Sequence, residues 1–531
     1  MKFTTSLAAL LFAAAPLAAQ TVDVAVFSIN DFHGAFVRND HKGIAGAPSV
    51  WQTLDSLKSV YPYNVTLSAG DNFGGSYFYN ATHGALLPVF FNDLGIRLSA
   101  VGNHEFDDGQ RSLAEKWNTS PLRPAGWDIR YICANVRDNK TGRVPDFAQP
   151  TARVEVPVAP GKAVSIAFEG LIASSTPQQV SLRRIAGLSF DGRYTSVVDS
   201  VAQTPDAEKL KDATVRLLLT HIGSCTNGTT NEPQWSDLDE AELKKFSTKD
   251  WDGIISSHSH ETVCGRINDS RLPIVQGHWH GDYISALICK VDTAAMKLVS
   301  VEPHVFRVYP KNKLAAGPAR LQAQIDSLLS HTCTAAGTPI GTVLTTATAD
   351  LPHDRESKYC QSRVGALVCQ AYAEEFRRVK QLKDSEPIMG CSHFGSIRSG
   401  FVKGPVSVLD VGEVLPFSNS LRVFRLTGKQ LVELAEFGMH NERYGWIQVG
   451  NMEMVQDADG HVKELIYVSP KGKRVHLKAN KQYYLVADDF MTHGGDGYSA
   501  DFFPDEQEVK AEGMSFTTDA FINFLREQKE I

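Results

Sequence analysis

Seven side chains able to bind a metal, Asp31, His33, Asp71, Asn103, His221, His258 and His260, recur along the first half of this chain, nearly all of them just behind a short apolar run. Val24–Ile29 precedes Asp31 and His33, and 65–68 precedes Asp71. Leu98–Val101 precedes Asn103, 215–219 precedes His221, and 253–256 precedes His258 and His260. Short β-branched runs separated by helical stretches are the signature of an α/β domain. In an open α/β sheet, ligands gather in the crevice beyond the carboxyl ends of the strands. Residues two apart on a strand face the same side, so Asp31 and His33 can reach one ion. The pattern therefore predicts a sheet whose strand ends share one rim, with the ligands on it.

The helical segments expected between these strands are 48–60, 83–94 capped by Thr82 with Gly95 behind it, 317–329, 364–379 and 427–437. Charged and Pro-containing sequence at 309–313 closes the first half, so the 317–329 helix is expected to link two domains and act as their hinge. The boundaries implied are a leader over 1–20, a catalytic domain over 21–312, a linker helix within 313–335 and a second α/β domain over 336–531.

Met1-Lys2, the apolar run Leu7–Leu17 and the small residues Ala18 and Ala19 have the chemistry of a secretory signal cut near Ala19 or Gln20. The charged 524–531 segment lacks the hydrophobic tail of a lipid-anchor signal, so a freely secreted protein is expected, with no membrane anchor. The formal charge of −7 becomes −8 once Lys2 leaves with the leader, which disfavours nucleic-acid polymers and anionic membranes as partners. Eight cysteines in a secreted chain favour disulfides, with Cys225–Cys264 preferred and Cys369–Cys391 and Cys333–Cys360 next. Sequons at Asn64, Asn80, Asn118, Asn139, Asn227 and Asn268 fit a glycoprotein, although Asn64 opens a strand and is expected to stay bare.

Oxygen and imidazole donors without thiolate suit zinc, manganese or ferrous iron. A carboxylate such as Asp71 can bridge two ions roughly 3.5–4 Å apart, the spacing of two-metal hydrolysis. His278 and His280 lie in a strand-like segment without Asp or Asn company, and they read as structural residues.

The motifs Asn30-Asp31-Phe32-His33-Gly34, Ser68-Ala69-Gly70-Asp71, Gly102-Asn103-His104-Glu105-Phe106-Asp107, Thr220-His221-Ile222-Gly223 and His258-Ser259-His260 closely resemble the secreted 5′-nucleotidase family, within the calcineurin-like metallophosphoesterases. The resemblance continues through Gly395-Ser396-Ile397-Arg398, Leu415-Pro416-Phe417 and Gly494-Gly495-Asp496-Gly497-Tyr498. It implies a fold of class α/β: an N-terminal four-layer β-sandwich flanked by helices, joined by a linking helix to a second α/β domain. It also implies that Asp31, His33, Asp71 and His260 hold one ion and that Asp71, Asn103, His221 and His258 hold the other, zinc or manganese. His104 and Asp107 match the family's catalytic pair. Arg398, Phe417, Asn419, Phe490 and Asp496 match its substrate-binding residues, the two Phe sandwiching a base and Asp496 contacting ribose.

Lys358, His393 and His493 depart from the pattern: His393 and His493 stand where relatives carry Asn, and Lys358 where they carry Arg. The activity implied is cleavage of nucleoside 5′-monophosphates to nucleoside and phosphate by a metal-activated hydroxide. The departures leave a second reading open, hydrolysis of 2′,3′-cyclic nucleotides, nucleotide sugars or another phosphoester. A non-catalytic nucleotide-binding protein is the third.

Overall fold

The computed structural model describes residues 21–531 except 41, 111–112, 114, 116, 118–119, 227, 229–232, 236–250, 268–271, 335–336, 355–356 and 418. The expected leader and the sequons at Asn118, Asn227 and Asn268 lie outside the described residues. The chain divides into two compact units. One holds the described residues up to His33, Ile44–Phe73 and Leu87–Pro318; the other holds Gly34–Gly43, Gly74–Leu86 and Ala319–Ile531.

The first unit is built on two six-stranded sheets. One runs in the order Lys297–Arg307, Tyr283–Asp292, Thr21–Ile29, Tyr63–Ser68, Leu98–Ala100, Arg130–Ile132. The other runs Thr262–Arg266, Pro273–Gly277, Gly253–Ile255, Val215–His221, Lys162–Ile172, Thr151–Ala159. Alternation along the strands decides what each face buries. Val24, Val26, Leu67 and Ala100 of the first sheet meet Ile166, Phe168, Leu217, Leu219, Ile255 and Val275 of the second in one dry core. The intervening residues Ala167, Leu218, Ile254 and Ile274 face the other way, onto the Tyr194–Val201 helix and Trp251. On the outer face of the first sheet Phe27 meets Tyr61, just past the Ala47–Val60 helix, edge to face at 6.1 Å. This helix, sheet, sheet, helix order is the expected four-layer sandwich.

The strands Thr21–Ile29, Tyr63–Ser68 and Leu98–Ala100 pair in parallel, as do Val215–His221 and Gly253–Ile255. Their carboxyl ends are where all seven candidate ligands lie.

The second unit carries a four-stranded sheet, Leu421–Thr427, Gln482–Asp488, Ile388–Ser392, Gln448–Gly450, with the Arg363–Lys380 and Gly428–Met439 helices. Thr427 caps the latter in a capping box with Gln430, worth about 1 kcal/mol. Gly34–Gly43 and Gly74–Leu86, early in sequence, cluster with this unit through close packing. Tyr77 lies where any Cβ on Gly412 would stand, and its N–H donates to Glu413 Oε1 at 3.0 Å.

Three expectations are corrected. The helix expected over 83–94 starts late: Thr82, expected as its cap, ends a separate helix, Tyr77–Thr82, and the expected one runs over Leu87–Leu94 only. Ser76 caps the first, Thr82 Oγ1 donates back to Phe78 O, His83 and Gly84 turn left-handed, and Pro88 favours a fresh start. All eight cysteines are free thiols. Cys369, Cys360 and Cys333 turn their thiols to the carbonyls of Gln448, Ser357 and His331, while Cys225 and Cys264 sit opposite Gln234 and Val275 on their own strand pairs. His278 and His280 follow the Pro273–Gly277 strand in a turn with positive φ, and are not part of it. Asn64 Nδ2 donates to Tyr61 O at 2.8 Å. Among the described residues no helix is long and apolar enough to cross a membrane.

Candidate metal centre and ligand pocket

Asp31, Asp71, Asn103 and His33 are buried, and His221 is fully so. Burying two carboxylates this deeply costs heavily unless positive charge compensates them. Asp71 Oδ2 lies 3.1 Å from His221 Nε2 and 3.8 Å from His33 Nε2, so one carboxylate faces two imidazoles. His33 Nε2 and His260 Nε2 approach to 3.1 Å, and His260 Nε2 stands 3.5 Å from Asp31 Oδ1. The ligand atoms of Asp31, His33, Asp71 and His260 all lie within 4.8 Å of one another, and so do those of Asp71, His221 and His258. Asn103 Oδ1 joins the second set at 3.2 Å from His221 Nε2. All seven residues thus come together, in two groups that share Asp71.

The backbone that presents them is strained. Asp31, His33, Asp71, His258 and His260 have φ between 47° and 81°. Each left-handed residue costs roughly 1–2 kcal/mol, and such strain collects at functional sites. Two glycines let the loops close. A Cβ at Gly70 would stand 2.8 Å from His221 Nδ1, and one at Gly102 would strike Asp71 Oδ1.

A second layer orients the ligands. His221 Nδ1 lies 2.9 Å from Ala69 O and His33 Nδ1 lies 3.3 Å from Phe73 O, contacts that leave both Nε2 lone pairs for an ion. The backbone N–H of His258 donates to Asp31 Oδ2 at 3.0 Å, and that of His104 to Asp71 Oδ1 at 2.9 Å. Gln179 Nε2 reaches His258 Nε2 at 3.1 Å.

Burial disfavours a charged His33, and His104 adds to this, so its imidazole falls to about 4 and is neutral. Burial works the same way on His221, yet the Asp71 and Asp31 carboxylates outweigh it and lift His221 to about 10. Asp71 stays well below the usual carboxylate range, burial notwithstanding, because His221 and His104 face it. The donor set therefore attracts positive charge and fits two divalent ions.

His104 and Asp107 stand beside this centre. The 3-10 turn His104–Phe106 places the two side chains three residues apart, with His104 Nδ1 2.7 Å from Asp107 Oδ2. Burial opposes the imidazolium, but Asp71 and Asp107 raise His104 to about 9. The His104 and His33 rings are 4.9 Å apart.

Glu105 has a part that the motif alone does not reveal. Its buried carboxylate accepts from the backbone N–H groups of Gly102 (2.7 Å), Asn72 (2.8 Å) and Asp71 (2.9 Å), knotting two ligand loops together. The signal available in the sequence was an acidic residue inside a ligand motif with no ligand role of its own.

In the second unit, Lys358, His393, Arg398, Phe417, Asn419, Phe490 and Asp496 all line one cavity of about 460 Å³. Phe417 and Phe490 are half-exposed at 50% and 47%, unusual for rings of this size and what a stacking platform requires. The Arg398 guanidinium lies over the Phe417 ring at 5.8 Å. His393 leans on Phe490 at 4.9 Å and its Nδ1 meets Asp496 Oδ2 at 2.6 Å. Lys358 Nζ donates to Arg443 O at 2.8 Å. Phe394, Gly395, Arg443 and Tyr444 complete the lining. Arg443 and Tyr444 follow the Gly428–Met439 helix in a segment without motif, so only folding brings them here. His493 points elsewhere, its Nδ1 on Asp489 O at 2.6 Å.

Residues 339–501 match the family model of the 5′-nucleotidase C-terminal domain. The chain is similar to a trifunctional nucleotide phosphoesterase of Bacillus subtilis (strain 168), 23% identical over 473 residues, which cover 84% of this chain and 30% of that protein. It is also similar to an apyrase of Aedes aegypti, 22% identical over 522 residues, 89% of this chain and 84% of the apyrase. Among solved structures, the 5′-nucleotidase precursor from Thermus thermophilus shares the fold with a TM-score of 0.65 at 21% identity, over 96% of this chain and 97% of that one.

Proposed function

We propose that this chain, whose residues 339–501 match the 5′-nucleotidase C-terminal domain, is a member of that family and a two-metal phosphohydrolase that cleaves nucleoside 5′-monophosphates to nucleoside and phosphate. The observation that carries this is Asp71, whose one carboxylate is shared by two complete donor sets beside the His104–Asp107 pair. Asp31, His33, Asp71 and His260 would hold one ion, and Asp71, Asn103, His221 and His258 the other, zinc or manganese by donor type. When bound, such ions polarise the phosphoryl group and acidify the attacking water.

The chain's own residues supply the rest. Asp107 holds His104 Nδ1, so the opposite N–H of the imidazolium is free to donate to a phosphoryl or leaving-group oxygen. Phe417 and Phe490 would stack a base, and Asp496 would accept from ribose hydroxyls. Arg398, Asn419, Lys358 and His393 would complete substrate binding. The metal set and the pocket belong to separate units, so movement about the Ala316–His331 helix is part of the proposal, and a disulfide locking the units together should stop turnover. Secretion after removal of residues 1–20 completes it.

A second reading keeps the centre and changes the substrate to a cyclic nucleotide, a nucleotide sugar or another phosphoester. It draws on His393, which engages Asp496, and on Lys358, whose ammonium is turned to a backbone carbonyl. A phosphate-release panel over nucleoside mono-, di- and cyclic phosphates with zinc or manganese decides. No release from AMP, GMP, UMP or CMP rejects the first reading, and preference for diesters selects the second.

A further inference from the structure

Away from both sites, three metal-competent side chains meet at the surface of the second unit. Glu436 and His440 stand four residues apart at the end of the Gly428–Met439 helix, so they project from one face. His461 comes from the turn between the antiparallel strands Met452–Gln456 and Val462–Val468. Glu436 Oε1 lies 2.6 Å from His461 Nδ1 and 3.5 Å from His440 Nδ1, and the ligand atoms of all three are within 4.8 Å of one another. The two imidazole rings are 5.5 Å apart and inclined by 33°.

Each member is held by backbone. Glu436 Oε2 accepts from the Val462 N–H at 2.6 Å, which leaves Oε1 facing the imidazoles. Asp457 Oδ1 accepts from the N–H groups of Asp459 (2.9 Å) and His461 (3.0 Å), and Asp457 N–H donates to His461 O at 2.9 Å, so the turn that carries His461 is fixed. His440 Nδ1 lies 3.0 Å from Glu436 O, which anchors the imidazole to its own helix end. Positions set by backbone partners before an ion arrives are what a preorganised site requires.

We propose that Glu436, His440 and His461 form a third metal site, which takes a divalent transition ion of the zinc class and clips the helix end to the 456–462 turn. Two imidazoles and one carboxylate suit zinc with water completing the tetrahedron. Calcium and magnesium call for more oxygen donors than the cluster offers. The ion would take the place of the proton between His461 Nδ1 and Glu436 Oε1, and that proton leaves to solvent.

The test uses the full chain, stripped with chelator and titrated with zinc chloride against a chromophoric chelator, as the parent and as the Glu436→Gln and His461→Ala variants. Each variant should bind one equivalent fewer zinc and lose part of the zinc-induced rise in Tm, with phosphate release unchanged. Equal zinc stoichiometry in parent and variants overturns the site. Should His461→Ala not fold, the Glu436→Gln titration decides alone. Failure of the phosphohydrolase proposal would show as absent phosphate release in the parent and would leave the zinc difference in place.

Discussion

Replacing Glu105 by Ala removes the one acceptor shared by three buried backbone N–H groups, those of Asp71, Asn72 and Gly102. Each buried donor left without a partner costs about 1–3 kcal/mol. Three of them give a destabilisation of the first unit of at least about 3 kcal/mol, more if the space admits no water. The same loss frees the loops that carry Asp71 and Asn103, and a displacement near 1 Å at a reacting centre costs on the order of 100-fold in rate. Glu105→Gln keeps one carbonyl oxygen but turns an amide toward the remaining donors, so it should fall between parent and Ala. The assay pairs urea unfolding, followed by tryptophan fluorescence, with kcat/KM for phosphate release at saturating metal. The reasoning fails if Glu105→Ala unfolds at the parent's midpoint with unchanged kcat/KM. It also fails if Gln is as damaging as Ala, because that would make the charge, and not the acceptors, the residue's contribution.

Four further outcomes are expected. His104→Ala should lower kcat by about 100- to 10,000-fold, the usual range for a lost general acid. Asp107 favours the protonated imidazole of His104 through the 2.7 Å contact at Nδ1; in Asp107→Asn the alkaline limb of kcat/KM should therefore move to lower pH, and an unmoved limb contradicts the pairing. Phe417→Ala and Phe490→Ala should each raise KM for nucleotides by roughly 5- to 150-fold, the equivalent of about 1–3 kcal/mol of stacking, and should leave hydrolysis of a small aryl phosphate unaffected. Chelation should abolish phosphate release and lower the Tm of the first unit, since the buried Asp31 and Asp71 lose their counter-charge; zinc or manganese should restore both, and activity that survives chelation contradicts the two-metal assignment.

Much of the first unit was legible because its periods are local. Val24 and Val26 face the inter-sheet core while Ala25 and Phe27 face outward, as alternation demands, and the ligand runs end where parallel strands end. The 83–94 segment misled because Thr82 has the side chain of an N-cap yet ends the preceding helix, and the left-handed His83 and Gly84 delay the next helix to Leu87. The cysteine expectation failed for a related reason: an even count says nothing of which way each thiol points. Arg443 and Tyr444 could not be found in advance, since nothing near them in sequence marks a ligand.

What the sequence by itself determined was the donor chemistry and its place on strand ends, because side-chain type and strand periodicity are properties of a few neighbouring residues. Only the tertiary structure decided that Glu105 ties the loop of Asp71 to that of Asn103, and that seven residues spread over 358–496, Lys358 to Asp496, line one cavity. Each of these is a contact between residues far apart along the chain. The His258 N–H on Asp31 spans 227 positions, a pairing that no local period encodes and that exists only once both sheets have packed.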